Sequence, residues 1–186
     1  AGFAFPEGPR WHQGSLWFAD HHDGVVRRIA PDGALLEQFA VPGTPSGLGW
    51  LPGGDMLIVS MHERRLYRRH GTALRVHAEL SPVHPHQSND MVVDGAGNAY
   101  VGNVGFDYFA GEAVRATTIA RVDALGRVEA VADGLMCPNG TVITPDGGTL
   151  IVAETLAERL TAYAIDAAGH LRERRVFADL RGAGAP

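Results

Sequence analysis

The chain repeats, and the repeat limits its fold more than any other property. Four segments align: Pro6-Glu7-Gly8-Pro9-Arg10-Trp11, Pro45-Ser46-Gly47-Leu48-Gly49-Trp50, Ser88-Asn89-Asp90-Met91-Val92-Val93 and Pro138-Asn139-Gly140-Thr141-Val142-Ile143. Each runs into a glycine-bearing turn, such as Pro52-Gly53-Gly54 or Pro145-Asp146-Gly147-Gly148. A second apolar run follows, such as Leu16-Trp17-Phe18-Ala19 or Leu150-Ile151-Val152-Ala153. A further hairpin completes every unit: residues 25–40 around Pro31-Asp32-Gly33, then 64–78, 118–132 and 159–178. Short apolar runs bounded by Gly, Pro and Asp clusters are strands, and no long window keeps a helical period. Each unit therefore predicts four antiparallel strands. Units opening near residues 6, 45, 88 and 138 recur at the roughly 40–50-residue period of propeller blades. The expectation is an all-β chain, one β-propeller domain over residues 1–186 with about four blades present; a sandwich of hairpins is the alternative.

Composition fits this reading and removes other classes. The 24 glycines and 11 prolines fall in turn clusters, and a 45% hydrophobic content is enough for a core. A net charge of -5 lacks the bulk positive charge of a nucleic-acid binder. No apolar run approaches the ~20 residues of a membrane helix, so neither nucleic acid nor membrane is an expected partner. A single cysteine, Cys137, excludes an internal disulfide framework and fits a reducing compartment, so a cytoplasmic location is expected.

In a propeller the first strand of every blade lines the central channel, so equivalent repeat positions meet around one axis. The residue after each repeat-opening Pro or Ser is Glu7, Ser46, Asn89 or Asn139. One carboxylate and two amide oxygens are hard donors that suit Ca²⁺ or Mg²⁺ rather than a thiolate zinc site. Glu7, Asn89 and Asn139 are the candidate ligands, and Ser46 is left out of the set. Taken singly, each is equally an ordinary turn residue. Residues ending the second strands, Asp20, Ser60, Asn103 and Glu154, are expected on the same face, further from the axis. The loop from Val104 to about Thr117, with Phe106, Asp107, Tyr108 and Phe109, reads as a lid or an ordinary packed loop. His21, His22 and His62 lie near that face, as substrate contacts or solvated loop residues. His84-Pro85-His86 reads as a surface loop, and Cys137 as a packing residue rather than a nucleophile.

In this order and spacing the segments resemble the senescence marker protein / gluconolactonase / luciferin-regenerating enzyme family. The resemblance covers nearly the whole chain. It is carried by Glu7-Gly8-Pro9-Arg10-Trp11 with Leu16 to Asp20, by Ser88-Asn89-Asp90-Met91-Val92-Val93-Asp94 with Tyr100-Val101-Gly102-Asn103, and by Pro138-Asn139-Gly140 with Ile151 to Thr155. It implies a six-bladed propeller, one divalent cation in the channel, and hydrolysis of lactones or, in relatives, organophosphate esters. Glu7 and Asn139 match the family's metal ligands, and Asn89 matches an asparagine that contacts substrate or metal. Asn89 and Asn103 are the expected substrate contacts. Ca²⁺ is the expected cation, with Zn²⁺, Mg²⁺ or Mn²⁺ as alternatives. Some members carry an arginine two residues before the position of Asn89; here it is Gln87.

The resemblance also implies a ligand aspartate, often assigned as the base, about 46 residues after Asn139, hence beyond Pro186. Six blades need roughly 280 residues, so the chain is expected to be a part of a longer one. The expected function is metal-assisted opening of a small-molecule lactone by water. The alternatives are a phosphotriesterase-like hydrolase on the same metal site, or a non-catalytic propeller scaffold.

Overall fold

A computed structural model of the chain describes residues 2–182 and contains sixteen strands in four antiparallel four-stranded sheets. Sheet one holds β1 (Pro6–His12), β2 (Ser15–Asp20), β3 (Val25–Ile29) and β4 (Leu35–Ala40) in chain order. Sheet two holds β5 (Pro45–Trp50), β6 (Met56–Ser60), β7 (Arg65–His70) and β8 (Ala73–Glu79). Sheet three holds β9 (Ser88–Val93), β10 (Ala99–Asn103), β11 (Thr117–Val122) and β12 (Val128–Leu135). Sheet four holds β13 (Pro138–Ile143), β14 (Thr149–Glu154), β15 (Arg159–Ile165) and β16 (Leu171–Asp179). Each sheet is a meander joined by short turns, apart from the long loop 104–116 between β10 and β11, and the four expected repeats are the four blades. Among the described residues, no helix is long and apolar enough to cross a membrane.

The blades pack face to face, and each interface carries its own apolar seam. Trp17 and Val26 meet Leu48, Ile58 and Tyr67 between blades one and two. Leu57, Val59 and Leu66 meet Met91, Val101 and Val122 between blades two and three. Tyr100 and Ile119 meet Leu150, Val152 and Tyr163 between blades three and four. Side chains alternate across a strand, so β6 sends Ile58 into one seam and Leu57 and Val59 into the next. A strand buried on both faces reads as a continuous apolar run. The run Met-Leu-Ile-Val in β6 is one, and all of it is buried. One cross-blade hydrogen bond reinforces the third seam, where buried Tyr100 donates its hydroxyl to the Gly169 carbonyl at 2.9 Å.

β1, β5, β9 and β13 follow one another around the centre, with β1 against β5, β5 against β9 and β9 against β13. In every blade the first strand carries one extra residue near its start, compared with its partner. The first strand advances by three positions from Glu7 to Arg10, Pro45 to Leu48, Ser88 to Met91 and Pro138 to Thr141, where the second strand advances by two. Such a β-bulge re-aims side chains out of the ordinary alternation. Glycine permits the close approach of the inner strands. A Cβ on Gly8, whose φ is +54°, would lie 2.7 Å from the Ser46 carbonyl oxygen. A Cβ on Gly47 would lie 2.5 Å from the Met91 nitrogen. In the first two units the glycine two residues after the opener therefore has a packing cause, whereas a Cβ on Gly140 would meet nothing within 4 Å.

Candidate active site

The four bulges bring the equivalent repeat positions to one end of the inner strands. Glu7 is half-buried beside the first bulge, Asn89 is buried and Asn139 is half-buried. Among the described residues, the side-chain amides of Asn89 and Asn139 take no part in a hydrogen bond; at Asn139 it is the backbone carbonyl that accepts from Thr141 Oγ1, at 2.7 Å. Burial first, then the negative charge of Asp90, raises the Glu7 carboxyl above the ordinary glutamate value, while the Gly8 amide lowers it. Glu7 is thus a carboxylate whose charge is poorly compensated by the protein. Ser46 is buried.

The residues ending the second strands are tied up within the protein. Paired positions Pro6–Asp20, Pro45–Ser60, Ser88–Asn103 and Pro138–Glu154 put them beside the unit openers. All four are fully buried. Asp20 accepts the Phe5 amide at 2.8 Å, Ser60 donates to the Pro42 carbonyl at 2.8 Å, and Glu154 accepts the Met136 amide at 2.8 Å. Each of these three holds the segment that leads into a first strand. Asn103 was expected to touch substrate, and its geometry is different. It donates to the Thr118 carbonyl at 2.8 Å and accepts from Thr117 Oγ1 at 2.6 Å. Both ends of its amide are used, so it supports the start of β11.

Asp90, beside Asn89, is the residue the repeat did not single out. Its carboxylate receives Arg10 Nη2 at 2.8 and 3.0 Å and the Thr141 amide at 3.4 Å. Arg10 also donates to the Met91 carbonyl. Ideal Cβ positions on Gly47 and Gly8 would fall 2.9 and 3.4 Å from Asp90 Oδ1. One carboxylate therefore ties blades one, three and four and rests against blade two.

One loop expectation also changes. His84 lies in the core rather than on a surface loop: it is fully buried, with Nδ1 2.8 Å from the Ser88 hydroxyl. Burial holds its pKa down at about 4, against the opposing effect of a Val101 backbone hydrogen bond. The ring is neutral when folded and becomes cationic first in the unfolded chain. Stability should therefore be full above about pH 6.5 and fall as the pH drops toward about 4. Urea midpoints between those pH values should show this slope in the parent, and His84→Phe should flatten it. In the long loop, Phe106 is buried, and Tyr108 and Phe109 are 67% and 84% exposed. Asp107 Oδ1 accepts the amides of Phe109 and Ala110, which shapes that turn. Cys137 takes a left-handed φ of +55° just before Pro138, and burial raises its thiol pKa, which favours the unreactive thiol over the thiolate.

Four meander blades whose bulged first strands follow one another around a centre define a β-propeller. The chain belongs to the SMP-30/gluconolactonase/LRE-like family, whose profile matches residues 5–186. It is 28% identical over 162 residues to a pentonolactonase of Haloferax volcanii, covering 86% of this chain and 53% of that protein. A calcium-binding protein, regucalcin, from Agrobacterium tumefaciens superposes with a TM-score of 0.77 at 25% identity, over 96% of this chain and 61% of the other. A gluconolactonase from Xanthomonas campestris gives a TM-score of 0.76 at 22% identity, over 94% and 62%, and shows the shared fold. The chain thus spans about half of the pentonolactonase and about three fifths of each of these two structures.

Proposed function

We propose that this chain supplies the inner strands of a divalent-metal-dependent lactonase that opens a small cyclic ester with water. One observation carries the reading: Glu7, Asn89 and Asn139 occupy equivalent positions beside or within the bulges, while neighbouring polar residues are committed to the protein. Among the described residues, no three His, Cys, Asp or Glu side chains group as a metal site. The proposed donor set is one carboxylate and two amide oxygens, from Glu7, Asn89 and Asn139. That set fits a hard cation such as Ca²⁺, with Zn²⁺, Mg²⁺ or Mn²⁺ as alternatives, and covers about half of the 6–8 oxygens Ca²⁺ takes. The destabilised charge on Glu7 fits a nearby cation equally well.

A bound divalent cation would supply Lewis-acid polarisation of the ester carbonyl. Glu7 would hold it by charge, and Asn139 by its amide oxygen. Asn89, as a ligand or through its NH₂ group, would orient the ester or the attacking water. Asp90 pairs with Arg10 and receives the Thr141 amide, and so serves to fix the inner strands. In this reading the general base is the aspartate that the family resemblance implies. The relatives named as lactonases support a lactone substrate; the ring of oxygen donors argues against a bare scaffold.

The test uses the full-length protein and a γ-lactone. Excess chelator should abolish hydrolysis, and Ca²⁺, Zn²⁺ or Mn²⁺ should restore it. Undiminished activity in chelator would refute the metal role. A phosphotriester assayed beside the lactone separates the two hydrolase readings, and turnover of the phosphotriester alone would replace the lactonase one.

A further inference from the structure

The opener of each unit governs where the polar residue after it points, so each first strand needs a fixed start. In blades one, two and four the opener is a proline, whose ring holds φ at about −65°. In those blades Asp20, Ser60 and Glu154, at the ends of the second strands, also hold the segment that leads into the first strand. Blade three has neither device. Its opener is Ser88, and Asn103 uses both ends of its amide on Thr117 and Thr118.

His84 stands where those anchors are missing. Its ring is fully buried, with Nδ1 2.8 Å from Ser88 Oγ, and Ser88 is fully buried as well. Among the described residues this is the one hydrogen bond of the Ser88 hydroxyl. The backbone that carries the ring is fixed from two blades. The His84 amide donates to the Leu80 carbonyl at 2.8 Å, and Arg64 Nη1, from blade two, donates to the His84 carbonyl at 3.2 Å. Ser88 keeps the amide that a proline lacks, and donates it to the Met61 carbonyl in the loop after β6 at 3.1 Å. The blade-three opener is thus held at its amide and at its hydroxyl.

Asn89 depends on that hold. It lies buried in the bulge that runs from Ser88 to Met91. Among the described residues no hydrogen bond fixes its side-chain amide, so the backbone at Ser88 and the surrounding packing set its direction. A bulge aims a side chain only as well as its first residue is fixed.

We propose that His84 is a positioning residue: through Ser88 it anchors the bulge of β9 and aims the Asn89 amide, replacing the proline and the strand-end anchor of the other blades. The proposal rests on the reading of Asn89 as a ligand or substrate contact, and adds to it the residue that places that group.

Both tests use the full-length protein. Calorimetric Ca²⁺ affinity should fall about tenfold in Ser88→Ala and in His84→Phe, the low end of the loss when the support of a metal ligand is removed. In an Asn89→Ala background neither substitution should lower it further, because the residue they place is gone. Losses of undiminished size in that background would overturn the proposal, since general loosening of the fold does not act through Asn89. Unchanged affinity in both single variants would overturn it as well. The second test needs no metal. In chelator, three-bond couplings to Asn89 Cγ should report one χ1 rotamer in the parent and averaging in both variants, while those of Asn139 stay unchanged. A single Asn89 rotamer kept in both variants, or equal averaging at Asn139, would refute the positioning role. If the parent takes up none of Ca²⁺, Zn²⁺ or Mn²⁺, the metal-dependent reading fails, and the Asn89 couplings alone decide the role of His84.

Discussion

Glu7→Gln should lower divalent-cation affinity and lactone hydrolysis together, each by at least about 100-fold. Of the three proposed ligands only Glu7 carries a formal charge, and hard cations depend on at least one carboxylate. Coulomb attraction to an amide oxygen is weaker than to an ion by several kcal/mol at contact, roughly two powers of ten or more after screening. The variant should not lose stability. The folded protein raises the Glu7 pKa. A raised carboxyl pKa means that the ionised group opposes folding once the pH has risen above its unfolded value. Glutamine keeps the shape and removes that charge beside Asp90. In chelator the variant should therefore unfold at the same urea concentration as the parent, or higher. Calorimetric titration with Ca²⁺, steady-state rates and urea unfolding together separate this outcome from simple misfolding. Unchanged affinity and rate would remove Glu7 from the site.

Asp90→Ala should produce the largest loss of stability, about 3 kcal/mol. The Asp90 side chain is only 8% exposed, and Arg10, itself 23% exposed, reaches it from another blade. Removing the carboxylate strands the guanidinium in a poorly solvated place, and the Thr141 amide loses its acceptor. Arg10→Met in the Asp90→Ala background should restore part of the loss, because the pair then disappears as a unit. Urea midpoints for the two single variants and the double variant measure this coupling. Additive losses would show that Asp90 acts through packing and not through Arg10.

Much of the architecture was legible because a propeller writes each element four times. The openers Pro6, Pro45, Ser88 and Pro138 begin β1, β5, β9 and β13, and the glycine-bearing turns fall where the strands reverse. The site was legible only as a list of equivalent positions. Repeat alignment compares like with like, so it selected Asn89 and passed over Asp90, whose counterparts Gly8, Gly47 and Gly140 carry no side chain. The partner of Asp90 lies 80 residues away in sequence, and no local pattern announces it. Bulges are invisible to an alternation pattern, since one extra residue per strand looks like noise until the register is known. Asn103 and His84 illustrate the remaining gap. Both are polar residues beside loops, a setting that suggests exposure, yet each is enclosed by a neighbour from a different strand.

The tie between Arg10 and Asp90 also bears on how the molecule assembles. Every blade is a meander of adjacent hairpins, and such short-range pairings close fast, on the order of microseconds. Joining Arg10 to Asp90 closes a loop of 80 residues, whose entropy is recovered only once blades one to three are stacked. Blade formation should thus precede closure of the centre. A variant lacking the tie should reach its blades at the parental rate and differ mainly by unfolding faster, the kinetic signature of a contact made after the transition state.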